Sequence, residues 1–110
     1  MRKGEVYRNG EHLGTLTEKA RGHYHFIYAS DWVSDPTKPA VSLRLPKREE
    51  AYESEVLFPF FFNMLSEGVN RKLQSRQLRI DEDDHFGLLL ATAGYDTIGA
   101  ITIREAEEES

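Results

Sequence analysis

An Asn-Gly dipeptide near the N-terminus most constrains the fold of this chain. Asn9 and Gly10 lie inside a strand-like segment, residues 5–16. Both residue types tolerate the positive φ angles that a two-residue hairpin requires, so this pair predicts a β-hairpin. A second turn at residues 19–22 leads into residues 23–28, which are rich in aromatic side chains that suit a strand. The N-terminal part therefore predicts an antiparallel meander.

The next segment predicts irregular structure around one short strand. Pro36 and Pro39 place a loop at residues 31–39. Residues 41–45 alternate between apolar and polar side chains, which predicts a strand. The charged residues 47–54 predict an exposed connection.

A cluster of phenylalanines begins the helical part of the chain. Four apolar residues recur at the i, i+3, i+4 and i+7 spacing of a buried helical stripe. They are Phe58, Phe61, Phe62 and Leu65. Pro59 fits the first turn of this helix, and Gly68 is suited to end it in the left-handed conformation. Phe60 falls on the opposite side and is harder to bury.

Two further helices are predicted. Residues 69–79 form the first, with three apolar side chains facing inward and four basic side chains facing water. The inward set is Val69, Leu73 and Leu78, and the outward set is Arg71, Lys72, Arg76 and Arg79. Residues 81–84 are acidic and precede a second apolar stripe, so we expect them to cap a helix that ends at Gly94. That stripe comprises Phe86, Leu89, Leu90 and Ala93.

Strands followed by helices and a last strand predict an α+β fold. The β-branched residues 97–103 form the closing strand, so a small antiparallel sheet of the meander plus this strand packs with about three helices. A chain of 110 residues suits one core, and we assign residues 1–104 to a single domain. Residues 105–110 are predicted to be a disordered acidic tail.

Composition narrows the classes of function. The net charge of −5 disfavours direct binding of nucleic acid, which relies on clustered Lys and Arg. The chain has no cysteine, which fits the cytoplasm, and neither a signal peptide nor a bilayer-spanning run is visible. We therefore expect a cytoplasmic protein without membrane contact.

Catalytic and metal-binding patterns are weak. His23 and His25 share one face of a predicted strand, and His12 could lie opposite, but no carboxylate stands at a ligand spacing. No serine lies in a nucleophile elbow, and no glycine-rich loop precedes a helix. We therefore expect no catalytic residue, no cofactor and no metal. Trp32 has two open interpretations: an interface anchor or a lid over the core.

An ordered series of short motifs resembles the N-terminal subdomain of HipA-type serine/threonine kinases. Each motif is weak alone, but the series is specific and covers nearly the whole chain. The motifs are Asn9-Gly10 with Gly14-Thr15-Leu16, Phe26-x-Tyr28 with Trp32, Val41-Ser42-Leu43-x-Leu45-Pro46, Phe58-Pro59-Phe60-Phe61-x-Asn63-x-Leu65-x-Glu67-Gly68, Asp84-x-Phe86-x-Leu88-Leu89, Gly94-x-Asp96 and Gly99-Ala100.

The resemblance implies a partner protein rather than a kinase. The chain has no Lys-Glu pair, catalytic loop or magnesium-binding Asp motif, which a protein kinase needs. It is similar to HipS, the free-standing form of the subdomain in three-part toxin–antitoxin systems. There the small protein binds and neutralises a short kinase, HipT, and a helix-turn-helix protein, HipB, binds the operator. The implied partners are thus a HipT- or HipA-like kinase and a HipB-like protein. An assembly subunit and an N-terminal fragment of a longer kinase stay open.

The predicted contact with the kinase is the connection between the first two helices. Such loops present side chains from a rigid scaffold, which is where binding residues tend to lie. The expected partner-binding residues are Ser66, Glu67, Gly68, Val69, Asn70, Arg71 and Arg76. Members of the family commonly have Pro at the position of Ser66, and free-standing members often carry a bulky aromatic residue where Val69 stands.

Overall fold

A five-stranded antiparallel sheet and four helices make up the described part of the chain. The computed structural model describes residues 1–65, 67–94 and 100–106. The strands are β1 (Arg2–Arg8), β2 (Glu11–Ala20), β3 (His23–Tyr28), β4 (Tyr52–Ser54) and β5 (Ile101–Glu105). The helices are α1 (Ser30–Ser34), α2 (Pro59–Phe62), α3 (Gly68–Leu78) and α4 (His85–Thr92). The strand order in the sheet is β4-β3-β2-β1-β5.

The N-terminal meander is confirmed. Asn9 and Gly10 have φ angles of 50° and 83°, and they join β1 to β2 with Arg8 paired to Glu11. Gly22, at φ 77°, makes the second turn. All three turn residues lie in the left-handed region, which Gly and Asn adopt at the lowest cost.

The C-terminal strand closes the sheet beside the first one. β5 runs antiparallel to β1, with Gly4 paired to Glu105. The Ala106 N–H donates to the Lys3 carbonyl at 2.9 Å, so the pairing extends past the boundary at which a tail was predicted. The strand was predicted from residue 97, but residues 95–99 lie outside the described part of the chain, as do the tail residues 107–110.

The core lies between the sheet and the helices. Three phenylalanines from different elements, Phe26, Phe61 and Phe86, are completely buried. The ring centroids of Phe26 and Phe61 lie 5.4 Å apart, which joins β3 to α2. The sheet contributes further buried side chains, and so does α4. These are Val6, Leu16, Ile101 and Ile103 from the sheet and Leu88 and Leu89 from α4.

Helix α4 is capped and tied to the sheet through one aspartate. The Asp84 side chain accepts a hydrogen bond from the Gly87 N–H at 3.1 Å, which confirms the predicted acidic cap. The Arg2 guanidinium donates to both Asp84 oxygens, at 2.9 and 2.8 Å, and its Nε donates to Glu18 at 2.9 Å. These bonds raise the pKa of Arg2, and the Arg2 hydrogen bond is the largest cause that lowers the pKa of Asp84. Leu88 is buried, whereas the predicted Leu90 is only partly so.

The strand predicted at residues 41–45 is wrong, because this segment is a tight turn. The Leu45 N–H donates to the Ser42 carbonyl at 3.1 Å, and the Leu43 side chain is fully exposed. The buried Tyr28 hydroxyl accepts from the Val41 N–H at 3.0 Å and donates to the Leu45 carbonyl. Both ends of the turn are therefore held by a side chain from β3. The alternation of apolar and polar residues in this segment does not mark a strand with one face on the core.

Two segments predicted as irregular contain regular structure. Residues 52–54, within the predicted exposed connection, form the edge strand β4, with Ser54 paired to Tyr24 of β3. Residues 30–34, which overlap the predicted loop, form α1.

Trp32 of α1 is only 3% exposed, and its indole N–H donates to the Pro39 carbonyl at 2.8 Å. Its ring therefore packs into the core and is not displayed to a partner.

Candidate functional site

The helix predicted at the phenylalanine cluster is much shorter than its periodicity suggests. α2 has a single turn, Pro59–Phe62, with Pro59 in the first turn as predicted. The Met64 and Leu65 N–H groups then donate to carbonyls three residues earlier, at 3.1 and 3.0 Å, which is the tighter 3₁₀ pattern. This tightening brings Leu65 into the core and leaves Phe62 36% exposed, so the prediction that Phe62 is buried is wrong.

Gly68 begins a helix instead of ending one. Its φ angle is +55°, and it follows the extended residue Glu67, whose side chain makes no capping bond. Glycine reaches this left-handed conformation at little cost, so the chain changes direction here and enters α3. The Asn70 N–H donates to the Glu67 carbonyl at 3.2 Å. The predicted helix–helix loop is therefore largely the first turn of α3.

The inward face predicted for α3 is wrong. Val69 is 72% exposed and Leu73 is 48% exposed, and α3 has no buried residue. Leu78, also predicted to face inward, is exposed as well. The core is already filled by α2 and α4, and α3 packs against α4 from the outside. At about 100° per residue, Val69, Leu73 and Arg76 share one side of the helix.

Arg71 is one of three partly buried side chains of α3, with Gln74 and Ser75, although it was predicted to face water. It is half-buried, and its guanidinium carbon lies 5.8 Å from the centroid of the Phe62 ring. The Phe62 ring in turn meets the His85 ring edge to face, with centroids 5.0 Å apart. The Arg71 Nε is buried and has no hydrogen-bond partner among the described residues. These three side chains form the Arg71 stack, which joins α2, α3 and α4.

The structure exposes five of the seven predicted contact residues and leaves Arg71 half-buried, on the side of α3 away from Val69. Glu67, Gly68, Val69 and Asn70 are exposed at the start of α3, and Arg76 is exposed in its last turn. Ser66 lies outside the described part of the chain. The sequence analysis did not predict that Phe62 and His85 lie beside Arg71. No sequence spacing relates α2 to α4, so no local signal could have placed them together.

Other groups that could carry chemistry are used in local pairs. His23 Nε2 lies 3.2 Å from a Glu53 oxygen, and His12 contacts Glu5. Burial, followed by the nearby Lys19, lowers the pKa of His25. Across residues 1–65, 67–94 and 100–106, no three His, Cys, Asp or Glu side chains form a group that could hold a metal. In the same ranges, no helix has the length and apolar character needed to cross a bilayer.

The sequence and the fold define a family. The sequence model of the HipA N-terminal domain matches residues 4–104, so the chain belongs to the HipA N-terminal domain family. Its structure is similar to the N-terminal domain of HipA toxin, with a TM-score of 0.74 and 32% identity over 99% of this chain and 96% of that one. The resemblance read from the motifs is confirmed, and so is the α+β fold.

Relatives carry this domain in proteins of two sizes. A Haemophilus influenzae protein of unassigned function is 35% identical over 98% of this chain and 96% of its own length. The putative kinases Y4mE and Y4dM of Sinorhizobium fredii are 29% and 32% identical over 94% of this chain. The matched region spans only 24% and 26% of those two proteins. Residues 4–104 thus correspond to the HipA N-terminal domain.

Proposed function

We propose that this chain is a toxin–antitoxin component that binds a HipA- or HipT-like serine/threonine kinase and neutralises it. The observation that carries the proposal is the match of nearly the whole chain to a domain that, in two putative kinases, makes up about a quarter of the polypeptide. A domain joined to a kinase is held beside it at high effective concentration. The same domain on a separate chain needs a contact surface of its own.

Helix α3 and the two residues that precede it in the sequence supply the contact surface in this proposal. The residues concerned are Ser66, Glu67, Gly68, Val69, Asn70, Arg71 and Arg76. Val69 and Leu73 give an exposed apolar centre, and Lys72 and Arg76 place positive charge beside it. An apolar centre with a charged rim is the usual composition of a protein-binding patch.

In this proposal the protein acts by binding the kinase and uses no catalytic residue, cofactor or metal. The kinase stays inactive because a rigid α+β domain covers it near the nucleotide cleft and blocks entry of substrate or closure. A HipB-like helix-turn-helix protein completes the complex and makes the contact with DNA, while this chain, with a net charge of −5, makes none. The complex is cytoplasmic in this proposal.

A second function is favoured by the same length comparison. Since the domain is part of the putative kinases, it can complete a kinase fold and bridge it to the DNA-binding protein without inhibition. The chain then serves as an assembly subunit, or as the N-terminal part of a longer kinase. Inhibition predicts that adding the chain lowers kinase activity, and assembly predicts an unchanged or higher activity.

A pull-down tests the contact surface. Glu67 and Arg71 are reversed together (Glu67→Arg, Arg71→Glu) and the variant is used to capture the HipA-like kinase of the same organism. The matched control reverses Glu50 and Arg44, which are exposed and lie outside α3. We expect the first variant to lose the kinase and the control to retain it. Equal capture by both variants would remove the start of α3 from the interface.

A further inference from the structure

The Arg71 stack holds a guanidinium group that has no acceptor in residues 1–65, 67–94 and 100–106. Arg71 makes no ion pair within the described residues, and its buried Nε donates no hydrogen bond. The Phe62 ring lies 5.8 Å from the guanidinium carbon and is itself packed against His85. A buried donor without a partner costs free energy, so this guanidinium is not fully satisfied within the described residues.

The surroundings of the stack are positively charged. α3 and its caps carry Arg71, Lys72, Arg76 and Arg79 against the single carboxylate of Glu67. None of the four cations forms an ion pair within the described part of the chain. By contrast, Arg2, Lys19 and Lys38 elsewhere in the protein each contact a carboxylate. A basic helix on a chain of net charge −5 is an asymmetry that fits an acidic partner surface.

We propose that the Arg71 stack is an anchor for a carboxylate of the bound kinase, supplied by an Asp or Glu within an acidic patch. The proposal rests on the proposed function and specifies the chemistry of its partner surface. The planar guanidinium presents paired N–H donors that match the two oxygens of a carboxylate. Phe62 is a positioning residue: it holds the guanidinium in place before binding, which reduces the entropy lost when the pair forms.

The test measures the affinity of four variants for the unphosphorylated kinase by isothermal titration calorimetry. Arg71→Gln removes the charge and Arg71→Lys keeps it without the planar fork. Phe62→Leu removes the ring beneath the guanidinium, and Lys72→Gln is the control for loss of one exposed charge on the same helix. Circular dichroism verifies that each variant is folded.

The expected results separate geometry from charge. Arg71→Gln weakens binding by roughly 30-fold or more, as expected when one partner of a desolvated charge pair is truncated. Arg71→Lys and Phe62→Leu each weaken it by about 10-fold, and Lys72→Gln by less than about 3-fold. In the free protein, Phe62→Leu also shifts the Arg71 Nε–H resonance, because it removes an aromatic ring that lies 5.8 Å from the guanidinium carbon.

Three outcomes overturn the proposal in distinguishable ways. If the kinase binds the wild type and Arg71→Gln equally well, the anchor is refuted and the proposed function stands. If the wild-type chain does not bind the kinase, both are refuted. If only phosphorylated kinase binds, and phosphatase treatment abolishes binding, the acceptor is a phosphate group and the carboxylate is refuted.

Discussion

Two adjacent phenylalanines, Phe61 and Phe62, are expected to differ sharply in their contribution to stability. Phe61 is completely buried, and its ring centroid lies 5.4, 6.4 and 5.3 Å from those of Phe26, Phe58 and Phe60. Phe61→Ala therefore leaves a cavity in the aromatic cluster and lowers the free energy of unfolding by about 3–5 kcal/mol. Phe62 is 36% exposed, so Phe62→Ala loses less burial and one cation–π contact, or about 1–1.5 kcal/mol.

Chemical denaturation measures this difference directly. Urea unfolding followed by circular dichroism gives the free energy of unfolding for the wild type and both variants, and equal slopes verify a common unfolding transition. The two substitutions remove the same atoms at neighbouring positions, so each is the control for the other. A gap of less than about 1 kcal/mol between them would refute the assignment of Phe61 to the core and Phe62 to the surface.

Three other substitutions test local features of the fold. Asp84→Asn breaks the charge pair with Arg2 and lowers stability by about 1–2 kcal/mol near pH 7. Because the folded-state pKa of Asp84 lies below its unfolded value of about 3.9, that stability is present above the unfolded pKa and is lost as pH falls through the folded pKa. Denaturation near pH 2 should therefore show a smaller difference between wild type and variant, and a constant difference would contradict the pairing. Gly14→Ala would place a Cβ 2.5 Å from the Ile27 carbonyl oxygen, and we expect a fall in Tm of about 10 °C or more by calorimetry. Tyr28→Phe removes a buried hydroxyl with two backbone partners, and urea unfolding should show a loss of about 1–3 kcal/mol.

Structural features that depend on a few neighbouring residues could be predicted from the sequence. The Asn9-Gly10 turn requires positive φ angles that few residue types adopt readily, so its hairpin could be located from two residues. The cap of α4 was equally local, since a carboxylate before an apolar stripe satisfies free N–H groups of the first turn. In both cases the physical cause and its effect lie within a few residues of each other.

Features that depend on distant partners were not predictable. The turn at residues 41–45 is held by the Tyr28 hydroxyl, and β4 forms because β3 offers an unpaired edge. The periodicity of α3 suggested that Val69 faces inward, but the core is filled by other elements, and the helix displays its apolar residue instead. Periodicity identifies a helix and its stripe, whereas the side that faces the core is decided by the space the rest of the chain leaves.

The candidate site also combines features that depend on neighbouring residues with features that depend on distant ones. Its place in the chain was predicted from the position of residues 66–71 between helices, and the described members of this set lie at the start of α3. The contact of Arg71 with Phe62 joins two helices across a change of chain direction, so no local pattern of residues could indicate it. An unpaired cation can be recognised only when all its neighbours are known.

Kinase activity measured against increasing amounts of this chain tests the proposed neutralisation most directly. The purified HipA-like kinase of the same organism is assayed for phosphate transfer from ATP, with Arg71→Gln as a variant of weakened binding. Neutralisation predicts a saturable loss of phosphate transfer with the wild-type chain and a requirement for higher concentrations of the variant. Stable binding that leaves the rate unchanged or raises it would contradict neutralisation and favour the assembly role.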